Sequence, residues 1–213
     1  MIDYLYIIPC VLIAIIFHEL AHGLVSYWLG DPTPKENGRL SLNPLRHIDP
    51  IGLLCLVIFR VGWAKPVVVN SQYYKNRRLG MFLVAMAGPL TNFIIAFISF
   101  LIMGLAIRFS VPVLNDDVMQ TFFSFLAIIN IGLGVFNLIP IPPLDGSRML
   151  GACLPADAYI SYMKFERYGF YIILGLLLVD KIVTLIAQTP SIISVAVGWI
   201  YNLFIDLINL ILF

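Results

Sequence analysis

Apolar residues run almost unbroken through five stretches of the chain, at about 4–28, 80–107, 118–138, 168–188 and 191–212. Each is near the roughly 20 residues that an α-helix needs to cross the hydrocarbon core of a bilayer, and no charge cluster interrupts them. The pattern predicts an all-α polytopic membrane protein of about five transmembrane helices, folded as a single domain over residues 1–213. Between the first and second runs the character changes. Asp31 to Leu79 holds eight of the thirteen Lys and Arg and one short apolar run, Ile51 to Phe59, too short to span and read as a re-entrant or interfacial piece. The β-prone stretch after it, with Gly62 and Pro66, reads as a bent edge strand or hairpin. Within it, Trp63 to Asn70 could pair backbone to backbone with an extended substrate, chiefly through Val67, Val68 and Val69.

Composition agrees with the runs. Of 213 residues, 61% are hydrophobic and 12% charged, against about 25% charged in a soluble domain. A net charge of +1 provides no basic surface for nucleic acid, and leaves the lipid bilayer as the surrounding partner. Cys10, Cys55 and Cys153 are an odd number at wide spacings, so neither a disulfide framework nor a cysteine metal site is implied. The first apolar run lacks a basic leading region and a small-residue cleavage site, and is expected to stay in the protein.

If the five runs alternate across the bilayer with the N-terminus outside, eleven of the thirteen Lys and Arg fall inside, and only Arg108 and Lys181 fall outside. That bias predicts a cytosolic location for the Asp31–Leu79 region and for the Pro140–Glu166 connection.

The chemistry is concentrated in Phe17-His18-Glu19-Leu20-Ala21-His22, inside the first run. Residues four apart share a helix face, so His18 and His22 can offer ring nitrogens to one zinc ion while Glu19 polarises an attacking water. A chance pair of helix histidines is the bland reading in a soluble helix. In an apolar helix these groups must face a bundle interior or a watery cavity, because a charge at bilayer depth costs a few kcal/mol or more.

A catalytic zinc takes a third protein ligand. His47 and a carboxylate are both open, with Asp145 the better candidate. Asp145 follows Pro140, Pro142 and Pro143, which forbid regular helix just beyond the third run, and Gly146 permits a tight turn. In the alternating topology, the first and third runs end on the same side. Asn92, one turn after Gly88-Pro89, reads equally as a donor to a substrate carbonyl or oxyanion and as a hydrogen-bonded packing residue. His47 with Asp49 could form a second polar site, although a turn-stabilising pair is the better reading.

At these residues the sequence resembles the site-2 protease family of intramembrane zinc metalloproteases, in its short, single-domain branch without a PDZ or CBS domain. The resemblance rests on His-Glu-x-x-His at His18 to His22, Gly-x-x-x-Asn at Gly88 and Asn92, and Asn-x-x-Pro-x-x-Pro-Leu-Asp-Gly from Asn137 to Gly146. It implies that His18, His22 and Asp145 hold one Zn²⁺ per chain and that Glu19 is the general base and acid. It further implies that Asn92 contacts substrate or transition state, and that Asn137 serves substrate binding or orients the third element. The expected partner is a transmembrane or membrane-associated substrate, in a bacterial or archaeal cell membrane with the active site toward the cytosolic leaflet. The competing class is a non-proteolytic metal-binding membrane protein or transporter, which has no special need for a carboxylate beside a ligand histidine.

Overall fold

A computed structural model describes residues 2–52, 54 and 65–212. The expected re-entrant run and Trp63 fall largely outside these residues. Among the described residues, five helices are long and apolar enough to span a membrane. They are α1 (Ile2–Trp28), α3 (Arg77–Arg108), α4 (Asp117–Asn137), α7 (Glu166–Ala187) and α8 (Ile192–Leu212). Shorter helices also occur, among them α2 (Thr33–Glu36), α5 (Asp145–Cys153) and α6 (Ala156–Met163). The protein is thus an integral membrane protein of the all-α class, as the five apolar runs predict.

Local chemistry sets several helix starts. Asn76 accepts from the Leu79 backbone N–H at 3.1 Å, so α3 begins three residues earlier than its apolar run, with Arg77 and Arg78 in its first turn. Asp116 caps α4 in the same way through the Val118 N–H. The prolines after Asn137 end α4, and residues 138–144 have no regular helix.

Helix α3 lies at the centre, packed on α1, α4, α5 and α8. Ala96 and Phe100 of α3, Ala127 and Ile131 of α4 and Ile208 of α8 form the tight apolar core. Phe100 stands edge-on to Tyr201 with ring centroids 5.0 Å apart, and Phe97 to Phe204 at 5.6 Å, geometries that add to simple burial. Helix α7 buries only Gly169 among its described side chains, so nearly all of its Leu, Ile and Val surface is left for lipid.

No strand forms among the described residues, which corrects the edge-strand expectation for Lys65–Asn70. This segment has no regular structure and is tied down individually. The Asn70 N–H donates to Asp31 Oδ2 at 2.7 Å, and Ser26 Oγ donates to the same oxygen at 2.7 Å. Asp31 and Ser26 are fully buried, so these bonds fasten the segment to the end of α1 without water in competition.

Candidate active site

His18 and His22 lie one turn apart on α1 and turn their rings inward, with Asp145 meeting them from the first turn of α5. His18 Nε2 is 3.1 Å from His22 Nε2, and Asp145 Oδ2 is 3.0 Å from the former and 3.2 Å from the latter. All three residues are buried.

The hydrogen bonds behind the rings fix their tautomers. His22 Nδ1 lies 2.7 Å from the Val84 carbonyl, which only accepts, so this nitrogen carries the proton. The Asn92 amide nitrogen donates to the Ala14 carbonyl at 3.2 Å and to Asn130 Oδ1 at 2.8 Å, while the Asn130 amide nitrogen donates to the Leu126 carbonyl. Asn92 must therefore present Oδ1 to His18, whose Nδ1 donates to it at 2.5 Å. Both Nε2 atoms are left as lone-pair donors facing each other and a carboxylate oxygen.

Three acceptors at 3.0–3.2 Å repel one another unless a cation or a proton lies among them. Zinc bonds of about 2.0–2.1 Å set tetrahedral ligands about 3.4 Å apart, close to this triangle. The donor set of two imidazoles and one carboxylate suits zinc, and the hydrogen bonds from each Nδ1 are the outer support that metal-binding histidines use.

Among the described residues, His18, His22 and Asp145 form the cluster able to hold a metal. His47 is not part of it: its Nε2 donates to the Ser41 carbonyl at 2.6 Å. Asp49 takes the Ile51 and Gly52 N–H groups, both at 2.9 Å, in the expected turn-stabilising role. Asp145→Ala is therefore expected to lower zinc affinity at least tenfold while His47→Ala leaves it unchanged, as zinc content after dialysis against a buffered zinc series would show. The opposite ranking would transfer the third ligand to His47.

Gly146 serves differently from the expected tight turn. It lies within the first turn of α5, where an added Cβ would run into the Leu138 carbonyl, so glycine here permits close approach of two backbones. Asn92 also differs from the expected substrate contact. It is fully buried, and its amide hydrogens are already given to Ala14 and Asn130, which makes it a positioning residue for His18. Asn137 ends α4, and its amide donates to the Leu133 carbonyl of the same helix.

Two contributors escape the sequence pattern. Asn130 could have been noticed as a lone amide inside an apolar run, but the Val67 backbone could not. The Val67 N–H donates to Glu19 Oε2 at 2.8 Å, fixing one oxygen of that carboxylate. Val67 is thus not a free ladder donor, whereas the Val68 side chain is exposed. Val67→Pro removes the donor and is expected to slow turnover about 10- to 100-fold with zinc retained, since a bond to a charged group contributes about 1.5–3 kcal/mol. Unchanged turnover at full zinc content would show that Glu19 needs no such anchor.

Residues 109–180 match peptidase family M50. YwhC of Bacillus subtilis (strain 168), provisionally named a zinc metalloprotease, is 38% identical over 173 residues, covering 80% of this chain and 79% of the relative. Rip2 of Mycolicibacterium smegmatis, with the same provisional name, is 30% identical over 78% of this chain, which spans 64% of Rip2. MJ0611 of Methanocaldococcus jannaschii, named likewise, is 29% identical over 70% of this chain and 75% of its own length. No solved structure matches the chain.

Proposed function

The chain belongs to peptidase family M50, the site-2 proteases, and from that membership we propose that it is an intramembrane zinc endopeptidase acting on transmembrane or membrane-associated substrates. The observation that carries the reading is the triangle of lone-pair donors from His18, His22 and Asp145, buried beside the catalytic-type carboxylate of Glu19.

In this reading His18, His22 and Asp145 hold one zinc ion. When bound, zinc supplies a Lewis acid that polarises the scissile carbonyl and makes water acidic enough to attack near neutral pH. Glu19 takes the proton from that water and passes it to the leaving nitrogen. Val67 keeps Glu19 Oε2 engaged, so the other carboxylate oxygen does the proton transfer. Asn92 and the Val84 carbonyl hold the rings in register, and Asn137 ends the helix from which the proline-rich passage leads to Asp145. A peptide bond in an intact helix is shielded by its own hydrogen bonds, so the substrate must unwind locally before it reaches the site.

The charge bias supports an N-terminus outside and a site toward the cytosolic leaflet, and the proposed setting is a bacterial or archaeal cell membrane. The test is cleavage of a single-span substrate by the reconstituted protein before and after zinc removal with a permeant chelator. Loss of cleavage, its return on adding zinc, and one zinc per chain are the expected results. Full cleavage by metal-free protein would overturn the proposal.

A further inference from the structure

Away from the metal triangle, a cavity of about 420 Å³ opens where the start of α3 meets α5 and α6. Arg77 and Arg78 of α3 and Arg148 of α5 line it, together with Ser71, and no carboxylate stands in its wall. Among the described residues, no Asp or Glu lies within ion-pair distance of these three arginines; the ion pairs found there join Asp145 to the site histidines. Three arginines thus line one space that has no carboxylate in its wall. Each offers a fork of N–H donors shaped for phosphate oxygens, and their mutual repulsion falls when an anion sits among them.

The position of the cavity limits what that anion can be. With 32 residues, α3 is about 48 Å long, more than the roughly 30 Å hydrocarbon core, so its charged first turn emerges among lipid headgroups. The remaining wall is apolar, with Met81, Leu154 and Ile160 beside the arginines. A ligand fitting both parts has a phosphate at one end and hydrocarbon at the other. We propose that this cavity binds the phosphate headgroup of an anionic phospholipid, with the upper acyl chain against the apolar wall.

The consequence reaches the site. Arg148 lies three residues after Asp145 on α5, and Gly88, against the site histidines, is about 16 Å along α3 from Arg77. A lipid gripped by both helices therefore clamps the element carrying Asp145 to the helix that backs the histidines. This inference is independent of proteolysis and is tested without a substrate.

The purified protein is loaded in mixed vesicles of phosphatidylcholine and phosphatidylglycerol, returned to detergent, and its retained lipid counted by native mass spectrometry. Zinc content serves as the check on folding. The wild type is expected to retain phosphatidylglycerol over phosphatidylcholine, and each of Arg77→Gln, Arg78→Gln and Arg148→Gln to lower retention about fivefold. Lys35→Gln, on α2 and outside the cavity, is expected to lower it little. Equal retention by the triple variant at full zinc content would overturn the site, and so would an equal loss in Lys35→Gln, which would mean diffuse attraction. Displacement of the lipid by inorganic phosphate at millimolar concentration would also overturn it, by showing a site for free phosphate.

Discussion

Glu19→Gln is expected to bind zinc as the wild type does and to hydrolyse a membrane substrate about 10²–10⁴-fold more slowly, the range that a positioned general base contributes. The amide matches the carboxylate in size and still offers an oxygen to the Val67 N–H, so the local fold has little reason to change. What it lacks is the capacity to take a proton from water. Glu19 is also absent from the triangle of metal donors, so metal affinity and turnover should separate cleanly. Single-turnover cleavage in vesicles, with zinc measured on the same preparation, checks this. A variant that cleaves at near the wild-type rate would remove Glu19 from the chemistry, and one that loses zinc would make it a ligand.

The membrane architecture was legible because bilayer thickness imposes a length on every spanning run. The runs at about 118–138 and 191–212 correspond to Asp117–Asn137 and Ile192–Leu212. Polar helix ends lie outside what an apolar run can show. The start of α3 includes Arg77 and Arg78, which an apolar window cannot contain, although Asn76 is an ordinary cap. Helices α5 and α6 leave no clear pattern within the Pro140–Glu166 connection, since 9 and 8 residues carry too little periodicity to stand out among prolines and glycines.

The approach of His18, His22 and Asp145 could be anticipated from types and spacing, because His18 and His22 must share a helix face and Asp145 is the carboxylate at the end of a broken helix. The supporting bonds could not. Val84 supports His22 through its carbonyl and Val67 holds Glu19 through its N–H, and every residue but proline has both groups. Asn92 shows a different limit. Sequence places an amide near the site, but only the partners on Ala14 and Asn130 reveal that it serves His18 and has no hydrogen left for a substrate.

Gly88→Ala is expected to reduce zinc affinity more than a hundredfold, a larger effect than the 10- to 100-fold usual for a supporting residue. A Cβ at Gly88 would stand 2.5 Å from His22 Nε2 and 2.6 Å from His18 Nε2, which are the two atoms offered to the metal. Contacts that short force something to move. Helix α3 is the central packing element and cannot retreat easily, whereas a histidine can rotate about its side-chain torsions. Rotation breaks the bonds from the ring Nδ1 atoms to Asn92 and Val84, leaving buried acceptors unpaired and the lone pairs misdirected. Alanine is also the better helix former, so any loss of zinc cannot come from weaker helix propensity. Gly132→Ala in α4 is the matched control, because nothing lies within 4 Å of the Cβ it would add. Zinc titration of both variants in detergent decides the matter: equal affinity in Gly88→Ala and Gly132→Ala would mean that the metal lies away from the face of α3 that Gly88 presents.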